Sequence, residues 1–208
     1  MKIVCISDTH GFHNKVLLPE GDILIFAGDM SKVGLVHQIK YFDEWLGLVK
    51  PHYKEIIIIA GNHDFAFEEL ENAKELIKNA IYLQNSCVVI DGLKIYGSPY
   101  TPRFFNWAFN VDRGEEIAKH WALIPDDVDI LITHGPPAGI LDMTSSYEWA
   151  GCKDLMNRIN KLKNLKLHIF GHIHEGYGVE KINDITFVNA SICTQRYSPI
   201  NKPIIIEI

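Results

Sequence analysis

The chain alternates short apolar runs with longer stretches of helical period. Ile3-Val4-Cys5-Ile6, Ile23-Leu24-Ile25-Phe26 and Ile56-Ile57-Ile58-Ile59-Ala60 are unbroken by polar residues. Such runs mark strands covered on both faces. Between the second and third, Gly34 to Val49 places Leu35, Ile39, Phe42, Trp45, Leu46 and Val49 at helical spacing, and Pro51 stops the pattern. Phe67 to Ala80 reads as a second amphipathic helix, with acidic residues in its first turn that complement the dipole. This alternation predicts a sheet with parallel pairs and right-handed crossovers.

The second half changes character. Residues 81–97 hold short strands with a two-residue hairpin turn at Asp91-Gly92. Residues 98–111 form a long loop rich in aromatics. Arg113 to Leu123 and Gly151 to Leu162 have helical period, and Val128 to Thr133 and Leu165 to Phe170 read as strands. From Gly178 to Ile206 the pattern is that of a β-meander, turning at Asn183-Asp184 and at Pro199. Two packed mixed sheets with helices outside fit this order. No linker, repeat or low-complexity segment divides the 208 residues, and that length fits one domain spanning 1–208, at about 100–200 residues per domain.

Composition narrows the class. Hydrophobic content of 47% and charged content of 22% belong to a soluble globular chain. The formal net charge of −6 is a poor match to a nucleic-acid-binding surface, so no nucleic-acid polymer is expected as partner. No run approaches the roughly 18 apolar residues of a membrane span, so no membrane partner is expected, and no signal peptide is visible. The four cysteines, at 5, 87, 152 and 193, form no C-x-x-C and read as thiols of a reducing compartment. The expected location is the cytoplasm.

Potential metal ligands gather in five islands, each after an apolar run: Asp8-Thr9-His10, Gly28-Asp29, Gly61-Asn62-His63-Asp64, His134 and Gly171-His172-Ile173-His174. Imidazole nitrogen and carboxylate oxygen suit divalent first-row metals, and one carboxylate can bridge two ions. An Asn oxygen fills a coordination position without adding charge. In two-metal sites the ions clamp a phosphoryl group and activate a water for in-line attack. Glycine before Asp29, Asn62 and His172 permits a sharp exit from a strand and close backbone approach. The absence of a thiolate from the islands argues against a structural zinc site.

In these islands the chain resembles the calcineurin-like metallophosphoesterase superfamily. The pattern D-x-H, G-D, G-N-H-[DE], H and G-H-x-H occurs here in order, without a substitution. Within the superfamily it is most similar to the small MPPED-type phosphodiesterases, through Gly97-Ser98-Pro99-Tyr100-Thr101-Pro102, Asn106-Trp107-Ala108-Phe109-Asn110, Thr133-His134-Gly135-Pro136-Pro137 and the segment from Gly171 to Gly178. The resemblance implies an α/β/β/α sandwich. It implies two divalent metal ions, manganese first, with iron, zinc, cobalt and nickel as alternatives.

It also implies roles for individual residues. Asp8, His10 and His174 would hold one metal, and Asn62, His134 and His172 the other, with Asp29 bridging. His63 would contact substrate phosphate, with Asn62 beside it, and protonate the leaving oxygen. Asp64 could orient His63 through its other ring nitrogen, or cap the helix that follows. Arg103 could pair with phosphate, and the aromatics around Trp107 could stack a base or aryl group, or form a hydrophobic lid or dimer contact. The implied activity is hydrolysis of small phosphodiesters, cyclic nucleotides or aryl diesters among them, through in-line attack by a metal-bridging hydroxide. A phosphomonoesterase and a non-catalytic metal-binding scaffold are the alternatives, and the oligomeric state stays open.

Outside this set, His13 reads as a solvated loop residue or a substrate contact. His37, His52 and His120 read as surface or helix-face residues, and His168 as a satisfied sheet histidine. Glu175 could orient a ligand histidine or lie on the surface. By the same resemblance, Asn189 and Ser191 border the site.

Overall fold

The apolar runs become the strands of two stacked sheets in the computed structural model, which describes residues 1–208. In chain order the elements are β1 (Lys2–Ile6), β2 (Ile23–Ala27), α1 (Val36–Val49), β3 (Glu55–Ile59), α2 (Ala66–Glu69), β4 (Ile81–Tyr82), β5 (Ser86–Ile90) and β6 (Leu93–Ser98). They continue with β7 (Thr101–Pro102), β8 (Asn110–Val111), α3 (Glu115–Trp121), β9 (Ile130–Thr133), α4 (Lys153–Ile159), β10 (Leu167–Phe170), β11 (Gly178–Ile182), β12 (Ile185–Asn189) and β13 (Ile204–Glu207). One sheet has the order β13-β1-β2-β3-β4, the other β11-β12-β10-β9-β6-β5. β1, β2 and β3 run parallel, as do β6, β9, β10 and β12, while β13, β11 and β5 pair antiparallel at the edges.

Strand alternation divides the apolar side chains among three layers. Ile3, Cys5, Ile23, Ile25, Ile57 and Ile59 face the second sheet and meet Ile95, Ile130, Ile132, Leu167, Ile169 and Val188. The other face of the first sheet, with Val4, Leu24, Phe26 and Ile58, packs on Ile39, Phe42, Trp45 and Leu46 of α1. The outer face of the second sheet, with Leu131, Phe170 and Phe187, packs on Ile117 and Trp121 of α3 and on Leu155 and Ile159 of α4. Each fully buried aliphatic side chain here contributes about 1.5–3 kcal/mol relative to exposure. The result is the α/β/β/α sandwich, and no helix in it is long and apolar enough to cross a membrane.

Three expectations change. The helix expected over Phe67–Ala80 is only the four-residue α2 and a separate 3-10 turn at Ala73–Leu76. The cause is Asp43 of α1, whose Oδ1 accepts the backbone N–H groups of Lys78 (2.8 Å) and Asn79 (3.0 Å) and draws the chain out of helical register. The meander is also incomplete: β11 and β12 pair through the Asn183 turn, but β13 crosses to the other sheet and pairs with β1. The aromatic loop carries a parallel pair of its own, β7 with β8. The hairpin between β5 and β6 turns at Asp91 (φ 50°) and Gly92 (φ 83°), as its sequence predicts.

Candidate metal centre

Because β1, β2 and β3 run parallel, their carboxyl ends lie at one edge of the first sheet, and those of β9 and β10 lie together in the second. The five islands leave these ends. Backbone bonds lock the exits together: Asp8 N donates to Gly28 O (2.9 Å), His10 N to Asp29 O (3.0 Å) and Gly171 N to His134 O (2.9 Å). Four candidate ligands, Asp8, His10, Asp29 and His172, have φ between 43° and 68°. This left-handed region costs a non-glycine residue of order 1–3 kcal/mol, and such strain concentrates at functional sites. At Gly61 and Gly171 the demand is for space. A Cβ at Gly61 would overlap Asp29 and His134, and one at Gly171 would overlap Asp8 and Ser7.

The structure brings all seven sequence-predicted ligands together. On one side, His174 Nε2 lies 3.4 Å from Asp8 Oδ1 and 3.2 Å from His10 Nε2. On the other, His134 Nε2 lies 2.9 Å from Asn62 Oδ1, and the His172 ring is 5.0 Å from that of His134, centre to centre. Asp29 stands between, its Oδ2 3.7 Å from His10 Nε2, 3.3 Å from His134 Nε2 and 3.9 Å from His63 Nε2. Three rings are aimed by their far nitrogens. The Nδ1–H groups of His63, His134 and His174 donate to the carbonyls of Lys32 (2.7 Å), Ala27 (2.9 Å) and Thr194 (3.0 Å), which turns each Nε2 toward the centre.

The donor set fits divalent cations. Asp8 and Asp29 are buried, and neither has a lysine or arginine within ion-pair distance; only histidines face them. Buried carboxylates need a paired charge or a metal. Asp8 is further held by Ser7 Oγ (2.5 Å), Ser191 Oγ (2.9 Å) and the backbone N–H of His172 (3.1 Å). Burial works to raise both carboxyls, yet His174 beside Asp8 and His134 beside Asp29 hold them well below the usual carboxylate range. Burial works to lower the histidines. Asp29 and Asp8 outweigh it at His134 and His174, each pushed up to about 9, whereas at His10 burial wins and the ring is held down at about 4. The His10 Nδ1 atom is buried with no hydrogen-bond partner. Three groupings could each hold an ion: Asp8 with His10 and His174, His10 with Asp29 and His63, and Asp8 with Asp29 and His134.

Asp64 is placed differently from either of its sequence readings. It is fully buried behind the centre and makes no bond to His63. Oδ1 accepts from Ser31 N (3.0 Å) and Ser31 Oγ (2.7 Å), and Oδ2 accepts from Gly61 N (2.9 Å) and Met30 N (3.2 Å). It therefore ties the loop after β2 to the loop after β3, and its side chain does not cap α2. Burial and then Asp29 push its carboxyl up to about 6, against the hydrogen bonds.

His13 is neither solvated nor in the centre: it is buried against Tyr41, Phe42 and Trp45. His37 and His52 are exposed, while His120 is half-buried and stacks on Tyr100. His168 is only half satisfied: Nε2 bonds Thr133 Oγ1 at 2.8 Å, and the buried Nδ1 has no partner. Glu175 accepts from Ser145 N instead of a histidine. Sequence reasoning missed Ser7 and Tyr197. The Tyr197 ring lies 4.8 Å from His10 and 5.6 Å from His174, and only its position in a loop with no motif surrounds it in the sequence. A cleft of about 1180 Å³ opens over the centre, and Arg103, Phe104, Trp107, Tyr147, Trp149 and Lys153 are among the residues that line it. Arg103 is exposed at its rim and pairs with Asp112.

Comparison with known proteins identifies the family and the fold. The profile of the calcineurin-like phosphoesterase family matches residues 1–176. The human metallophosphoesterase domain-containing protein 1 is 44% identical over 232 aligned positions, covering 100% of this chain and 71% of that protein. A probable glycerophosphodiester phosphodiesterase of Arcobacter nitrofigilis is 28% identical, over 78% of this chain and 60% of its own length. A solved crystal structure, 17% identical, superposes with a TM-score of 0.64 over 90% of this chain and 89% of that one, which shows a shared fold.

Proposed function

The chain belongs to the calcineurin-like phosphoesterase family, and on that premise we propose that it is a dinuclear metal-dependent phosphodiesterase acting on small phosphodiesters. The observation that carries the reading is the convergence of Asp8, His10, Asp29, Asn62, His134, His172 and His174 at one edge shared by both sheets, with no lysine or arginine to neutralise the two buried carboxylates. Asp8, His10 and His174 would hold one ion, Asn62, His134 and His172 the other, and Asp29 both. Two divalent cations, manganese first among them, would supply an activated water and neutralise charge on the phosphoryl oxygens.

The chain's own groups do the rest. His63 presents Nε2 to the centre because Nδ1–H is held by Lys32 O. When protonated it binds a phosphoryl oxygen and passes its proton to the leaving oxygen, a contribution of about 10²–10⁴-fold. Asn62 supplies a neutral oxygen, so it adds no repulsion to an anionic substrate. Arg103, exposed on the cleft rim, can exchange Asp112 for substrate phosphate. A reducing compartment such as the cytoplasm suits the thiols, three buried and none paired.

The test is hydrolysis by the metal-stripped protein of bis-p-nitrophenyl phosphate and p-nitrophenyl phosphate, with Mn²⁺ added back. Mn²⁺-dependent cleavage favouring the diester is expected. Preference for the monoester would make the protein a phosphomonoesterase, and tight binding of two ions without cleavage of either ester would make it a scaffold.

A further inference from the structure

Trp107 lies in the aromatic loop, and one face of its indole is occupied. The His63 ring stacks on it with centres 4.1 Å apart and planes 30° apart, while Phe65 lies tilted at 5.9 Å. On another side His63 meets the edge of His10 at 4.6 Å. The loop that carries the indole is clipped to the segment that carries His63. Ala108 N donates to Asn62 O (3.1 Å), and Phe109 N donates to Glu68 Oε1 (2.8 Å). Asn110 Nδ2 closes the loop on itself through Phe104 O (2.8 Å). The indole is therefore a fixed surface, held in register with the residue it touches.

We propose that Trp107 is a positioning residue for the phosphoester reaction, acting through His63. The proposal rests on the reading above, in which His63 serves the phosphoryl group. A histidine ring has two torsions, and the single bond from Nδ1 to Lys32 O restrains it at one atom, about which the ring can still rock. The stacked indole removes the remaining rotation. Nε2 then keeps its direction toward the Asp29 side of the centre, where its distance to Oδ2 is 3.9 Å. A leaving oxygen that departs as a good anion needs no proton. One that departs as an alkoxide does, and its rate depends on how long Nε2 points the right way. Trp107 thus biases the enzyme toward esters with poor leaving groups, and it does so without stacking on substrate.

Two measurements test this. In metal-free protein labelled at histidine, NMR is expected to show the His63 ring protons shifted upfield by the indole, in a single ring orientation with the proton on Nδ1. Trp107→Ala should abolish the shift and let the ring exchange between orientations, and Trp107→Phe should keep most of the shift and the single orientation. A His63 ring that keeps its one orientation in Trp107→Ala, read from the contacts of its ring protons, would overturn the proposal, whatever the activity. In Mn²⁺-loaded protein, Trp107→Ala should slow alkyl phosphodiesters by about 10²-fold, the usual scale for a misplaced catalytic group. It should spare p-nitrophenyl esters, and Trp107→Phe should restore most of the rate. In a His63→Asn background Trp107→Ala should change nothing further. An equal loss in that background would mean that the indole touches substrate directly, which also overturns the proposal. If the wild type cleaves no ester at all, the phosphodiesterase reading falls, and the NMR result alone decides whether Trp107 positions His63.

Discussion

His168 is buried in β10 as a neutral ring, and burial pushes its pKa down to about 3. Between that value and the unfolded 6.5, only the unfolded chain takes up the proton, so stability falls as pH falls through this window. At pH 5 the cost is about 2 kcal/mol, at 1.36 kcal/mol per unit. His168→Gln, which can still reach Thr133 Oγ1, is expected to flatten the loss of Tm between pH 7 and pH 5; a slope equal to wild type would contradict this. Asp64 makes the opposite kind of demand, since four donors point at its two oxygens. In Asp64→Asn an amide NH₂ would face N–H and O–H groups, and a loss of about 2–3 kcal/mol in urea unfolding is expected. The candidate ligands were legible as a cluster because their spacing and their place after apolar runs are written in the chain. The direction of Asp64, the serines on Asp8 and the Tyr197 ring were not, because each depends on which loops meet.

At the scale of elements, strands were readable and helix lengths were not. A strand buried on both faces needs an uninterrupted apolar run, and that requirement leaves one pattern. The segment from Phe67 to Ala80 also has apolar residues at helical spacing, with Phe67, Ala73 and Ile77 buried, yet it folds as a short helix, a 3-10 turn and an extended exit. Propensity is a weak prior against a tertiary bond. Here the bond is the Asp43 carboxylate, which takes two backbone donors and the Asn79 amide. Asp43→Ala is expected to destabilise by about 1–3 kcal/mol and to raise hydrogen exchange at the Lys78 and Asn79 amides beyond the global change. Exchange that rises evenly over α1 and this segment would show that Asp43 is no clamp. The last strand was misplaced for a related reason: period and turns define a strand but not its neighbour, and β13 found the edge of the other sheet.

For the whole molecule, the candidate ligands come from loops of both sheets, so a bound ion would staple the two layers. Mn²⁺ at a hundredfold excess over its Kd should stabilise the fold by about 2.7 kcal/mol, raising Tm reversibly on addition and lowering it with chelator. Asp29→Asn should remove most of that shift; a variant that keeps it would place the stabilising ion elsewhere. The sandwich was legible as a class because the order of apolar runs constrains layers, whereas the turn read at Pro199 does not say where the path from residue 190 to 203 leads. That path runs from β12 through the bridge between Ser7 and Ser191 and supplies the Thr194 carbonyl that aims His174. It ends in β13, paired with β1 through Lys2 and Glu207. On a ribosome this order has a consequence. β1 must wait for β13 before one of its edges is covered, and at about 5–20 residues per second the stretch between them takes on the order of ten seconds or more. During that interval Ile3 to Ile6 present an open apolar edge, the kind of segment that nascent-chain chaperones engage and that pairs with other chains when they fail.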